Sequence, residues 1–150
     1  GGPCSNRLVG HMSESLPETF WSMIEGMIDE QGVYPQQLLH ITDGELSCCS
    51  LMLDPPQIVP LAKKLVAQGA EELIFGLDRT TRPGQGTEFA DVLTCAHYKD
   101  GEWRVGVINY QHEPRIVRDW DWNNEFWTEA VLYELGLSKT HPLLRGEARS

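Results

Sequence analysis

The sequence predicts an α+β protein, with a mainly antiparallel sheet of four to five strands and helices packed on one face. Three observations predict it. Residues 90–110, ADVLTCAHYKDGEWRVGVINY, are two β-rich runs meeting at Asp100-Gly101. That dipeptide suits a two-residue type I′ turn, whose central positions both need φ > 0, a demand Gly meets at no steric cost. A second Asp-Gly, at Asp43-Gly44, divides LLHITDGELSCCSLML in the same way. Third, helical and extended segments follow one another as α, β(β), α, β, β, β, α rather than in strict alternation, which favours an antiparallel sheet.

The first helix is read from SESLPETFWSMIEGMIDEQG. Ser15 and Glu18 match a capping box, and Pro17 falls in the first turn, where its missing N–H costs little. Phe20, Trp21, Ile24, Met27 and Ile28 recur at helical spacing, and Gly32 is the stop. The Asp43-Gly44 turn predicts a hairpin of about Leu38–Thr42 with Glu45–Leu53, pairing Ile41 with Leu46 and Leu39 with Cys48; the alternative is a short helix from Pro35 ending near Gly44, and a strand at Leu46–Leu53 is the preferred minimum. Asp54-Pro55-Pro56 ends it.

QIVPLAKKLVAQG puts Ile58, Leu61, Ala62, Leu65 and Val66 on one side of a second helix that ends at Gly69. Pro60 in mid-helix would remove a hydrogen bond, so the regular helix is expected to start near Gln57. Glu72 to Leu77, ELIFGL, is an apolar run suited to a central strand. Residues 78–89, DRTTRPGQGTEF, form a loop by composition. In the hairpin that follows, the turn sets Lys99 opposite Glu102, Tyr98 opposite Trp103, His97 opposite Arg104 and Thr94 opposite Val107. One face then carries Val92, Thr94, Ala96, Tyr98, Trp103, Val105 and Val107 and reads as core. The other carries Leu93, Cys95, His97, Lys99, Glu102, Arg104, Ile108 and Tyr110 and reads as an outer, half-solvated face. Arg115–Trp120 is expected as a short edge strand, and Asn123 or Asn124 as the cap of a last helix, EFWTEAVLYELG.

The 150 residues fit one domain, taken as 13–137, between a leader at 1–12 and a loose tail at 138–150. GGPCSNRLVGHM resembles the remnant of a cleaved expression vector and is set aside. No apolar run approaches the roughly 20 residues that span a bilayer, so no membrane role is expected. A net charge of −10 opposes the counterion release that drives nucleic-acid binding. Cys4, Cys48, Cys49 and Cys95 form no CxxC and no zinc spacing, which leaves reduced, buried thiols in a cytoplasmic protein and no cofactor or metal.

Candidate site residues come from two places. The 78–87 loop has Arg79 and Arg82 among hydroxyls and glycines, a composition that can hold a small anion. The outer hairpin face offers Cys95, His97, Arg104 and Tyr110. A Cys beside a His is the minimum for a thiolate nucleophile, and a face half apolar and half charged suits an interface. Asp119 and Asp121 are better read as capping than as metal ligands. Three functions follow. The leading one is a binding module that forms a homodimer through the outer face of the 91–110 hairpin. The second is a small enzyme on an anionic or acyl substrate, using the 78–87 loop. The third is an acidic, immunity- or antitoxin-like antagonist of a basic protein. Nothing in the sequence specifies a reaction.

Overall fold

Two Asp-Gly turns set the registers of the sheet. In the computed structural model, which describes residues 6–7, 15–31, 36–51, 55–81 and 87–138, Asp43 and Asp100 both sit at φ 53°, with Gly44 at 76° and Gly101 at 81°. These left-handed pairs are what a type I′ turn requires. They join β2 (Gln36–Thr42) to β3 (Glu45–Leu51) and β5 (Asp91–Lys99) to β6 (Glu102–Gln111). Ile41 pairs with Leu46 and Leu39 with Cys48. His97 pairs with Arg104, and Tyr98 with Trp103. Each is the pairing the turn dictates.

Between the hairpins lies β4 (Glu72–Thr80), antiparallel to both β2 and β5. Two short strands, β1 (Asn6–Arg7) and β7 (Ile116–Val117), complete the order β1-β3-β2-β4-β5-β6-β7. The α+β class and the antiparallel sheet are as expected. The strand count is higher, because two-residue strands carry no pattern that a sequence window can register. The expected edge strand at Arg115–Trp120 shrinks to β7. Beyond it the chain returns to β6, where Val107 and Asp121 exchange backbone hydrogen bonds of 2.9 and 2.8 Å.

Helix α1 (Leu16–Gln31) opens at Ser15, whose hydroxyl accepts from the Glu18 N–H at 3.4 Å. Helix α2 (Pro55–Ala67) starts before the expected Gln57 and keeps Pro60 inside it. Helix α3 (Glu125–Glu134) is capped by Asn124, whose Oδ1 accepts from Trp127 N at 2.9 Å. Gly136, at φ 80°, ends it.

The helices divide between the two faces of the sheet. From α2 and α3, Ile58, Ala62, Trp127, Ala130 and Val131 pack on Leu38, Leu73, Phe75, Val92 and Val105. From α1, Leu16, Phe20 and Ile24 pack on Leu39, Ile74, Leu93, Cys95, Ile108 and Tyr110. Full burial of Phe20 and Ile24 stabilises by about 2 kcal/mol each. Helices on one face therefore describes α2 and α3, while α1 makes a second core on the opposite side. The hairpin face expected to be half-solvated divides along its length: near the turn Lys99, Glu102 and Arg104 are exposed, while farther along Cys95 is fully buried and His97 and Tyr110 are each 2% exposed. A one-sided sheet would alternate buried and open positions, whereas Val92 through His97 are all buried.

No helix among the described residues is long and apolar enough to cross a membrane. Cys48 and Cys95 are reduced, but Cys49 is disulfide-bonded, contrary to the expectation of thiols throughout. The proposed leader (apart from β1), Arg82 and the chain beyond 138 lie outside the described residues.

Candidate functional site

The end of β4 carries Arg79 onto the α2–α3 face, since Leu73, Phe75 and Leu77 precede it at the strand's period of two. Its guanidinium is fixed from three directions. Nε donates to Thr94 Oγ1 at 2.8 Å. Nη1 and Nη2 fork onto both carboxylate oxygens of Glu134 at 2.8 and 2.5 Å. The guanidinium carbon lies 5.2 Å from the centre of the Trp127 ring. Arg79 is thus not an open anion clamp. Its fork already holds a carboxylate, supplied by the last residue of α3.

Beside this pair, α2, β4 and α3 leave a cavity of about 610 Å³, lined by Val59, Pro60, Lys63, Leu77, Asp78, Arg79 and Glu134. Leu77 is buried, Val59 half-buried, and Pro60 and Lys63 exposed, so the lining runs from the core outward. Val59, Pro60 and Leu77 offer apolar surface. Lys63 has no acidic partner among the described residues. Its ammonium lies near Gly136, 3.3 Å from where a Cβ there would stand, at the C-terminal end of α3. A cation is favoured at that end of a helix.

The opposite face carries a second polar cluster. His97, directed there by β5, meets Glu72 Oε2 through Nε2 at 2.6 Å and Arg104 Nε through Nδ1 at 3.0 Å. A guanidinium N–H can only donate, so Nδ1 accepts and the ring proton sits on Nε2, donated to Glu72. His97 is neutral in this arrangement. Burial holds its pKa below the usual value, against the Glu72 bond and charge and together with the charges of Arg104 and Lys99. Arg104 lies 4.1 Å from the Trp122 ring centre. Trp122 stacks on Trp120 with centroids 5.0 Å apart and planes 15° from parallel. Both rings rest on Gly106, where a Cβ would stand 2.7 Å from Trp120 and 2.8 Å from Trp122. Glycine in the interior of a strand here marks a close approach.

Further along that face, Tyr110 donates its hydroxyl to Asp78 Oδ1 at 2.5 Å. Burial raises the Asp78 carboxyl although the Tyr110 hydrogen bond pulls it down, and burial together with Asp78 pushes the Tyr110 phenol up in turn. The Cys95 thiol is raised well above its ordinary value by burial, which disfavours the reactive thiolate.

The structure therefore joins His97 to Arg104 but separates both from Arg79, which stands on the other face of the sheet. The joint pocket that an Arg-assisted thiol or histidine chemistry needs is not formed by these residues. Asp121 accepts from Asn123 N at 2.9 Å, a local turn ahead of the helix, whose cap is Asn124 instead, and no three metal-ligating side chains cluster among the described residues.

Sequence reasoning missed Lys63, Glu134 and Asn109. All four hydrogen-bonding positions of the buried Asn109 amide are used: Oδ1 accepts from Glu88 N and Phe89 N, and Nδ2 donates to Phe89 O and Asp91 O, at 2.8–2.9 Å. It anchors the chain that leads from the 78–87 loop into β5. One signal for Glu134 was legible: an acidic residue closing a helix with no basic residue in its last turn calls for a cation from elsewhere. No family model, no curated protein and no solved structure matches this chain.

Proposed function

We propose that the protein is a binding module that takes a small, largely apolar molecule into the cavity between α2, β4 and α3. The observation that carries this reading is the cavity itself. Its 610 Å³ falls in the range of ligand pockets, roughly 300–1,000 Å³, and apolar walls with a few placed polar groups are how such pockets are built. The net charge of −10 speaks against a nucleic-acid ligand. Self-association through the 91–110 hairpin has less to work with, because α1 and the Trp120–Trp122 pair cover the apolar part of that face within a single chain and leave Lys99, Glu102 and Arg104 exposed. A small anionic ligand keeps its support in Lys63 and Arg79.

A neutral solvatochromic dye tests the reading. Saturable binding with a blue-shifted emission is expected for the native sequence. Val59→Trp, which fills the cavity from α2, should weaken binding about tenfold or more while far-ultraviolet circular dichroism stays unchanged. Absence of saturable binding, or binding indifferent to Val59→Trp, removes the reading.

A further inference from the structure

A helix leaves its last carbonyls without internal partners, and its C-terminal end is therefore negative. Glu134 adds a carboxylate to that end of α3, with no basic residue in the last turn to offset it. Among the described residues its hydrogen bonds go to Arg79 alone. Arg79 is held differently. Its Nε bond to Thr94 and its seat on Trp127 do not involve Glu134. If the carboxylate of Glu134 left, the guanidinium would keep its place, with a two-pronged donor site turned to the cavity it lines. A planar fork of this kind matches a carboxylate in both geometry and charge.

We propose that the ligand of this cavity is an amphiphilic carboxylic acid, whose carboxylate replaces that of Glu134 on the Arg79 fork. Glu134 is then a built-in stand-in for the ligand headgroup. The apolar body of the acid lies along Leu77, Val59 and Pro60, the lining that runs from the core to the surface. Lys63, the other cation of the cavity, adds to the pull on the headgroup without a competing acid of its own. This inference rests on the binding reading above and adds the chemistry of the headgroup.

Octanoate and octanol, titrated calorimetrically against the full chain, separate the two. The native protein is expected to bind octanoate at least tenfold more tightly than octanol. Glu134→Gln, which removes the internal competitor's charge, should raise that ratio about tenfold. Arg79→Lys keeps a charge but loses the fork, and should bring the ratio close to one. Its fold is checked by circular dichroism, and if it does not fold, the Glu134→Gln ratio decides alone. Equal affinities for the two probes, unmoved by Glu134→Gln, overturn the carboxylate inference and leave the cavity reading standing. Failure of both probes to bind overturns both.

Discussion

On the α2–α3 face of the sheet, Arg79 lies over Trp127 and meets Glu134 beside a cavity. On the α1 face, Arg104 lies over Trp122 and meets His97, which in turn meets Glu72. The ingredients match: an arginine, an indole beneath it and a carboxylate in the chain of bonds. The outcomes differ because of packing. Gly106 lets two tryptophans settle directly on the backbone, and beside them Glu72, His97 and Arg104 satisfy one another. Across the sheet, no side chain of the described residues fills the gap between Val59, Leu77 and Glu134. Whether a polar cluster is a site or a seal is thus decided by its apolar neighbours, since a buried network closes only when every member finds a partner.

The largest effect is expected where the seal is tightest. Gly106→Val would drive a branched side chain into two stacked indoles at 2.7–2.8 Å. Stacked rings held on both sides cannot swing away as a flexible chain can. Overpacking of this kind costs typically 1–3 kcal/mol, and we expect about 3 kcal/mol or more, read from urea denaturation. A loss below about 1 kcal/mol would mean that the tryptophans yield readily and the face is not sealed, which breaks the contrast between the two sides.

An intermediate effect is expected at His97. His97→Ala strands the Glu72 carboxylate and removes the acceptor of Arg104, at a cost of about 2 kcal/mol at neutral pH. The wild-type histidine also makes stability depend on pH. Its folded pKa lies below the unfolded value of 6.5, so the unfolded chain takes up the proton more readily. The stabilising contribution is present above pH 6.5 and is lost as the pH falls through the folded value. His40, also lowered by burial, acts in the same sense. Asp78 acts oppositely and lower down: its raised carboxyl favours the fold below its ordinary 3.8, and that contribution fades as the pH rises through the folded value. Unfolding free energies measured from pH 7 to pH 5 should therefore decline in the wild type and decline less in His97→Ala. An identical slope in both would mean that His97 is not the neutral, sealed group inferred from its bonds.

The hairpin was legible because Asp100-Gly101 leaves one favourable turn, and the turn then dictates every pair from Lys99–Glu102 to Leu93–Ile108. Capping was legible for the same local reason, at Ser15 and Asn124. The fate of the far hairpin face was not. Its polar members His97, Arg104 and Lys99 suggested water, which holds for the exposed Lys99 and Arg104 but not for the buried His97, because which side of a sheet α1 covers depends on contacts between Phe20 or Ile24 and residues far along the chain. Gly106 was the available clue, a glycine in a strand otherwise rich in large residues. At the candidate site, Arg79 was singled out from its loop composition, although it belongs to β4. Its carboxylate partner is distant in sequence, and only the docking of α3 across β4 and β5 brings Glu134 to it.

The smallest effect is expected from Glu134→Gln, and its smallness is what the contrast requires. Glu134 is a third exposed, and ion pairs near solvent contribute only about 0–1 kcal/mol once water and salt screen them. The amide still offers an oxygen to one prong of Arg79, and the guanidinium keeps Thr94 and Trp127. Loss of a negative charge at the C-terminal end of α3 also relieves an unfavourable interaction with the helix dipole, worth a few tenths of a kcal/mol. We expect a net change within about 1 kcal/mol, against about 3 kcal/mol for Gly106→Val across the sheet. If Glu134→Gln instead costs as much as His97→Ala, the Arg79–Glu134 pair is a keystone of the fold rather than a replaceable contact. An incoming carboxylate would then have to dismantle structure in order to bind.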